Sequence, residues 1–313
     1  MFNQSKVNTN FEQKGEKMEL TKKQFCILEA LATSKSILTQ RDLEKTTEYS
    51  LGTINRTVKE LNDLGYMKDG AITEAGIEAL EPYRVKRAIF IAAGFGSRLV
   101  PLTLNTPKPL IRVRGKRMID TLLDAVVAAG IEEIYIVRGY LGEQFDQLLY
   151  KYPQVKFIDN PLYNECNNIS SALCVRHLLQ NAYVLESDLV LSNHAIIKKY
   201  HYTSNFLGML KDRTDDWCFA VKDGFITEQK VGGLDCYQAI GISYWNETDG
   251  KKLSEHIKEA FYQPGGKELY WDQLPFRCYP NDYKVAIREC KEGDIIEIDT
   301  FKELKAIDKT YDI

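Results

Sequence analysis

The sequence lacks the features by which membrane, secreted and metal–thiolate proteins are recognised. No apolar run approaches the roughly 20 residues that a membrane-spanning helix needs, and the polar beginning of the chain has no signal-peptide core. The seven cysteines are scattered and form no CxxC pair, which is typical of free thiols in a reducing compartment. We therefore expect a cytoplasmic protein without membrane insertion.

Histidine and net charge are also scarce. The four histidines have no spacing typical of metal ligands, and a net charge of −3 over 313 residues gives no general attraction to nucleic acid. The hydrophobic fraction of 44% is ordinary for a globular protein, and the length allows two domains. Function must therefore be sought in local motifs.

The first part of the chain has the pattern of a small helical domain. Three segments place apolar residues at helical spacing, and an Asp-Gly turn then separates two short extended pieces before a closing helix. This layout resembles the winged helix-turn-helix family, and we assign it to residues 20–84. Residues 1–19 are expected to be a disordered lead-in.

A winged helix suggests DNA as a partner, but the charge of this region does not support it. The third predicted helix carries Asn55, Arg56 and Lys59 together with acidic residues, and residues 1–87 contain 14 basic against 13 acidic side chains. A DNA-binding domain normally presents a clear basic surface. Dimerisation or docking is at least as compatible with this composition, so a homo-oligomer is a second expectation.

From residue 85 to residue 313 the pattern changes to alternating strands and helices. Apolar strands such as RAIFIAAG and EEIYIVRGY alternate with helical segments such as MIDTLLDAVVAAG, and shorter strands follow. This alternation predicts an α/β, Rossmann-like domain with a mixed, mostly parallel sheet that helices cover on both faces.

The loop after the first strand of this domain reads AAGFGSRLVPLTLNTPKPL. Ligands of open parallel sheets lie beyond the carboxyl ends of the strands, where residues 92–98 fall. Gly94 and Gly96 let the backbone approach a phosphate closely, and Arg98 and the proline-framed Lys108 add positive charge. The spacing fits neither the dinucleotide fingerprint nor the P-loop. The loop is predicted to hold a triphosphate.

These residues resemble the signature of the nucleotidyltransferase superfamily, whose fold is GT-A-like. The match consists of two glycines, an arginine, a threonine and a Pro-Lys pair, here Gly94, Gly96, Arg98, Thr103, Pro107 and Lys108. The resemblance implies that Arg98 and Lys108 are catalytic and hold the phosphates. It also implies that the nucleotide is bound by Ala92, Ala93, Gly94, Gly96, Ser97 and Arg98.

Carboxylates follow two of the predicted strands. Glu186 and Asp188 stand two apart in YVLESDLVL, hence on the same face, and Glu297 and Asp299 do likewise in IIEIDT. Carboxylate oxygens are the ligands that Mg²⁺ prefers. The resemblance implies that Asp188 and Asp299 hold Mg²⁺, the expected cofactor. Either acid alone could instead cap a helix.

The segment YNECNNISSAL is similar to CTP:phosphocholine cytidylyltransferases, with Ala172 where those enzymes carry leucine. The resemblance extends to DDWCFAV, GISYW, LYWDQL and EIDT. It implies transfer of CMP from CTP to phosphocholine, giving CDP-choline and pyrophosphate. Asn167, Asn168 and Ser171 are expected to arrange the nucleotide pocket.

The headgroup of phosphocholine is a quaternary ammonium, which aromatic faces and carboxylates can hold. Each cation–π contact contributes about 0.5–2 kcal/mol. The candidate choline-binding residues are Trp217, Tyr270, Trp271, Asp272 and Glu297. Each aromatic residue could instead belong to the core, as we expect of Tyr244 and Trp245.

Two other functions remain open at this point. A sugar-1-phosphate nucleotidyltransferase would share the loop but would need an array of hydrogen-bonding groups for the sugar. A winged-helix regulator could use the second domain to sense a nucleotide or choline metabolite, although sensing needs no metal-binding pair. The preferred hypothesis is an Mg²⁺-dependent enzyme. The acceptor phosphate, with a second pKa of about 6, attacks the α-phosphorus directly.

Overall fold

The computed structural model describes residues 19–34 and 36–312, so the predicted lead-in lies outside the described residues except for Glu19. The chain divides into two compact units with a boundary between Pro82 and Tyr83. The sequence places this boundary between residues 84 and 85. Among the described residues, no helix combines the length and the apolar character needed to cross a membrane.

The first unit consists of helices around a short hairpin. Its elements are α1 (Lys22–Thr33), α2 (Gln40–Thr47), α3 (Leu51–Asp63), β1 (Met67–Lys68), β2 (Ala71–Ile72) and α4 (Glu74–Leu80). Thr21 and Thr39 cap the first two helices, each accepting a hydrogen bond from the backbone amide three residues on. Ile27, Leu28 and Ile54 are fully buried. This is the arrangement of a winged helix.

The second unit is built on a seven-stranded sheet in the described residues. Its strands are β3 (Arg87–Ile91), β6 (Glu133–Arg138), β7 (Val155–Asp159), β8 (Ala182–Glu186), β10 (Asn205–Lys222), β11 (Phe225–Trp245) and β12 (Ala286–Cys290). Their order in the sheet is β10-β12-β11-β8-β3-β6-β7. The strands β8, β3, β6 and β7 run parallel, whereas β11 pairs antiparallel with β8. The sheet is mixed and mostly parallel, as the sequence predicts.

Short strand pairs and helices complete this unit. They are β4 (Arg112–Val113), β5 (Lys116–Arg117), α5 (Met118–Ala128), α6 (Ile169–Val175), β9 (Leu189–Leu191), α7 (Glu247–Phe261), β13 (Ile295–Glu297) and α8 (Phe301–Ile307). Consecutive residues of β3 face opposite sides of the sheet: Phe90 packs in the core with α5, and Ile89 packs with α6 and α7. Helices therefore cover both faces.

The strands β10 and β11 form a long antiparallel hairpin with an irregular middle. The register shifts between Thr214 and Trp217 and again around Cys218 and Phe219. Such bulges bend a strand and change the direction of its side chains. Here they bring the segment around Trp217 to the edge of the cavity described below.

Close packing of α7 gives a prediction about stability. A Cβ added to Gly250 would lie 2.4 Å from the carbonyl oxygen of Leu179. We expect Gly250→Ala to lower the thermal unfolding temperature, although alanine favours a helix by about 1 kcal/mol over glycine. The matched control is Gly52→Ala in α3, where the added Cβ meets no described atom within 4 Å. An unfolding temperature raised by Gly250→Ala would contradict this packing.

Candidate active site

The glycine loop is fixed by contacts that only glycine permits. Gly96 has a φ of 62°, and a Cβ there would lie 2.8 Å from the Cβ of Lys108. The carbonyl oxygen of Gly96 accepts a hydrogen bond of 3.0 Å from the hydroxyl of Thr103. A Cβ at Gly94, in contrast, would meet no described atom within 4 Å. The loop is therefore anchored at one glycine and open at the other.

The loop borders a cavity of about 720 Å³. This is within the range of sites that bind small molecules and cofactors. Nearly all the predicted site residues line it: Ala92, Ala93, Gly94, Gly96, Ser97, Arg98, Lys108, Asn167, Asn168, Ser171, Asp188, Trp217, Tyr270, Asp272, Glu297 and Asp299. Segments distant in sequence thus meet at one place.

The centre of the cavity is an ion-pair network around Lys108. The ammonium of Lys108 lies 2.7 Å from Asp188 Oδ2 and 3.0 Å from Asp299 Oδ1, and Arg98 Nη2 lies 2.7 Å from the same Asp299 oxygen. Burial acts to lower the pKa of Lys108, but the two carboxylates outweigh it and the pKa is raised. The lysine is therefore positively charged.

Backbone pairing explains how the two aspartates come together. The strands β9 and β13 pair antiparallel, with Glu297 opposite Leu189. The amide of Ile298 also donates to the carbonyl oxygen of Asp188 at 3.2 Å. These bonds hold the end of one acid-bearing segment beside the other.

Three carboxylates form a group that suits a cation. One oxygen from each of Glu186, Asp188 and Glu297 lies within 4.8 Å of the others. Asp188 Oδ1 is buried and has no hydrogen-bond partner in the described part of the chain. Burial, together with the neighbouring carboxylates, raises the pKa of Glu186 well above its usual range and that of Glu297 to about 8. A hard divalent cation would satisfy all three groups.

The structure adds Glu186 to the acids expected at this place. A Cβ on Gly241 would lie 2.6 Å from Glu186 Oε2, so the glycine in the facing strand makes room for this side chain. The position of Glu186, two residues before Asp188, is the signal by which it could have been assigned. Asp299 also lines the cavity, but its carboxylate is paired with Arg98 and Lys108.

The residues predicted to bind the nucleotide at and before the start of α6 line the cavity, but their side chains form hydrogen bonds with other residues of the protein. Asn167 Nδ2 donates to the carbonyl of Glu268 at 3.1 Å, and Asn168 Oδ1 accepts from the amide of Trp271 at 3.0 Å. Ser171 Oγ accepts a hydrogen bond of 3.0 Å from the buried Asn160. The two consecutive asparagines therefore hold the segment that carries Tyr270 and Asp272.

The β10–β11 hairpin and the segment at residues 270–272 bring aromatic rings and further carboxylates to the cavity lining. The rings of Trp217 and Tyr270 are 6.2 Å apart between centroids and inclined at 62°. The guanidinium carbon of Arg277 lies 5.8 Å from the centroid of Trp217. Asp216 and Asp272 also line the cavity. Asp216 was not predicted, although it directly precedes Trp217 in the sequence.

The prediction that Trp271 binds the headgroup is wrong. Its side chain is only 2% exposed, and its ring packs edge to face against Trp245 at 6.2 Å between centroids. Trp271 begins a 3-10 turn between two residues that line the cavity, so it points away from them into the core. Tyr244 and Trp245 are fully buried, as expected.

Comparisons with known proteins agree with this geometry. The nucleotidyl transferase family matches residues 87–221, and the MarR family matches residues 19–67. The 2-aminoethylphosphonate cytidylyltransferase of Lancefieldella rimae is 38% identical over 228 residues, which cover 72% of this chain and 92% of that protein. The chain belongs to the cytidylyltransferases of the nucleotidyl transferase family.

Two further similarities support this assignment. The CTP:phosphoglutamine cytidylyltransferase of Campylobacter jejuni is 36% identical over 238 residues, which cover 68% of this chain and 92% of that protein. A solved structure of the CTP:phosphocholine cytidylyltransferase of Streptococcus pneumoniae aligns with a TM-score of 0.67 at 31% identity, over 72% of this chain and 99% of that one. The predictions of a nucleotidyltransferase domain and a winged-helix domain are confirmed. Enzymes of this family commonly use divalent metal ions.

The raised pKa of Glu297 predicts a pH-dependent stability of this cytidylyltransferase without metal. A carboxyl whose pKa rises from 4.5 to about 8 on folding holds its proton more tightly in the folded state than in the unfolded chain. The folded state therefore loses stability as the pH rises from about 4.5 to about 8. With a chelator present, the unfolding temperature should therefore fall as pH rises through this interval. Glu297→Gln should flatten that fall, whereas the exposed control Glu292→Gln should follow the wild-type curve. Parallel curves for all three proteins would refute the prediction.

Proposed function

We propose that this cytidylyltransferase transfers CMP from CTP to a small phosphate or phosphonate that carries a cationic headgroup, with release of pyrophosphate. The charge of the cavity is the observation that carries the proposal. Among the described residues that line it, six are acidic and two are basic. The two basic residues, Arg98 and Lys108, lie beside the glycine loop, where the triphosphate is expected. Four of the acids belong to the carboxylate group or to the ion pairs around Lys108. The other two, Asp216 and Asp272, each stand close in sequence to the aromatic residues Trp217 and Tyr270, and they favour a cation on the acceptor.

The acceptor that the sequence predicts is phosphocholine, but the arrangement favours a primary ammonium. Trp217 and Tyr270 are the aromatic residues of the proposed headgroup site, because Trp271 lies in the core. Arg277 already places a cation near the ring of Trp217. The carboxylates of Asp216 and Asp272 accept N–H hydrogen bonds, which a quaternary ammonium does not donate. We therefore propose 2-aminoethylphosphonate as the first candidate acceptor and phosphocholine as the second.

The residues of this chain position the reactants and neutralise charge. The backbone at Gly94 can approach the triphosphate, while Lys108 and Arg98 stabilise the charge that develops on the phosphates. The acceptor's own phosphate or phosphonate oxygen attacks the α-phosphorus, and the bond to the β-phosphate breaks. Cys166 lines the cavity, but burial raises the pKa of its thiol. A raised pKa disfavours the thiolate, so Cys166 is poorly suited to act as a nucleophile, and we propose a direct displacement without a covalent enzyme intermediate.

We propose that Mg²⁺ is held by Asp188 and Asp299, with Glu186 and Glu297 beside them. The buried Asp188 oxygen, which has no hydrogen-bond partner in the described part of the chain, and its grouping with Glu186 and Glu297 fit a divalent cation. Asp299 is paired with Arg98 and Lys108, and it would join the group when those pairs are released. When bound, Mg²⁺ would supply neutralisation of the phosphate charge.

A substrate panel tests the proposed function. We expect pyrophosphate release with CTP and 2-aminoethylphosphonate, phosphoethanolamine or phosphocholine, at a higher kcat/KM for the primary ammonium compounds. UTP, GTP, ATP and dTTP should give much lower rates with the same acceptors. Turnover of glucose 1-phosphate without turnover of any ammonium acceptor would replace this proposal with a sugar-phosphate activity.

Asp188 is the residue whose loss should affect turnover most directly. We expect Asp188→Ala to lower kcat/KM by about 100-fold or more, because the carboxylate that is proposed to hold the metal ion and that pairs with Lys108 is lost. Thermal unfolding should show that the variant is folded. The control is Asp215→Ala on the same hairpin as Trp217, where the side chain is 89% exposed. Equal turnover by the two variants would rule out a catalytic role for Asp188.

A further inference from the structure

Gln229 is a buried polar residue whose side chain forms a hydrogen bond with Asp272, a residue of the cavity lining. Its side chain is 4% exposed, and its Nε2 atom donates a hydrogen bond of 2.8 Å to Asp272 Oδ2. Its amide oxygen Oε1 is buried and has no hydrogen-bond partner among residues 19–34 and 36–312. Gln229 is not part of the cavity lining, whereas Asp272 is. The amide therefore acts on the cavity through Asp272.

The hydrogen bond joins two parts of the proposed acceptor site. Gln229 lies in β11 opposite Phe219, two residues from Trp217 in the facing strand. Asp272 lies in the 3-10 turn that follows Tyr270. The bond thus connects the hairpin that carries Trp217 to the segment that carries Tyr270.

We infer that Gln229 is a positioning residue, which holds the Asp272 carboxylate in the orientation that accepts a hydrogen bond from the acceptor's ammonium group. The inference rests on the proposed function and concerns the same site. A carboxylate that is already oriented loses less conformational freedom when the acceptor binds. Burial raises the pKa of Asp272, and the hydrogen bond from Gln229 acts against that rise because it favours the ionised carboxylate.

The chemistry of position 229 supports this role. A buried amide with an unpaired oxygen destabilises a fold, whereas leucine would fill similar space without a polar atom. Phe219, which pairs with Gln229 across the hairpin, belongs to the buried apolar core, so leucine at position 229 would stand beside an apolar residue. The bond to Asp272 is the interaction that a glutamine adds here.

The proposed role has a consequence that a purely structural role lacks. A primary ammonium donates directional N–H hydrogen bonds, so its binding depends on how the carboxylate is oriented. A quaternary ammonium donates none, and it depends mainly on charge and on the aromatic faces. Loss of the Gln229 amide should therefore weaken binding of 2-aminoethylphosphonate more than binding of phosphocholine.

Steady-state kinetics of Gln229→Leu in the full chain test the inference. We expect the KM for 2-aminoethylphosphonate to rise about tenfold or more, as for loss of a hydrogen bond to a charged group. The KM for CTP and kcat at saturating acceptor should change less than about twofold. The control is Thr227→Val on the same strand as Gln229, which removes the hydroxyl that donates to the carbonyl oxygen of Ala220 in β10; neither residue lines the cavity. It should leave all three parameters unchanged.

A double-mutant cycle with Asp272→Asn separates positioning from general damage. If Gln229 acts through Asp272, Gln229→Leu should add little to the acceptor KM of Asp272→Asn. If Gln229→Leu does not fold, Gln229→Asn provides the same test, because it keeps the amide but shortens its reach by one methylene group.

Four results would overturn the inference. They are an unchanged acceptor KM, an equal rise in the KM values for CTP and acceptor, additive effects in the cycle, and an equal loss for primary and quaternary acceptors. Absence of any turnover by the wild-type enzyme across the acceptor panel would instead refute the proposed function itself, so the two failures are distinguishable.

Discussion

The site depends on the ion pairs that Lys108 makes with Asp188 and Asp299. The lysine packs over Gly96, and its ammonium group reaches acids from two segments that are far apart in sequence. In the absence of ligands, the charges expected to meet a triphosphate are neutralised by the charges expected to meet a cation. A triphosphate that bound alone would draw Lys108 away from the two aspartates and leave their negative charge without a partner. A cation that bound alone would draw the aspartates away and leave the positive charge of Lys108 without a partner. Because each ligand neutralises the charge that the other leaves, binding of both together is favoured.

Much of this centre can be predicted from the sequence because its signals are local. The two glycines, Arg98 and Lys108 lie within one short loop, and their spacing is a property of the chain rather than of the fold. Asp188 and Asp299 each follow a strand that leads to the same edge of the structure. The strand and helix alternation likewise predicts the parallel part of the sheet. It does not predict the antiparallel insertion of β11 beside β8, since that pairing joins segments without a sequence signal.

The proposed acceptor site is predicted less completely from the sequence, because tertiary contacts decide which of its residues face the cavity. Trp271 has an aromatic side chain of the kind that can hold an ammonium group, but the 3-10 turn directs its ring into the core. Asn167 and Asn168 have amide side chains that could bind a ligand, yet these side chains form hydrogen bonds with the backbone of residues 268 and 271. Gln229 has no signal at all, because a single glutamine in a strand does not reveal its partner. Sequence patterns indicate which residues have suitable chemistry, and packing decides which of them face the cavity.

The two parts of the cavity proposed to bind phosphate and headgroup are lined by different segments of the chain, which suggests how one fold could serve different acceptors. The loop after β3 lines the part proposed to bind phosphate, whereas the β10–β11 hairpin and the segment that carries Tyr270 and Asp272 line the part proposed to bind the headgroup. Changes in the hairpin or the turn can therefore alter the acceptor without moving Lys108 or Asp188. The asparagines before α6 contact both the cavity and the turn, so they limit how far the turn can shift. Selectivity among ammonium headgroups would then arise from small changes in carboxylate orientation, while the phosphoryl-transfer centre stays fixed.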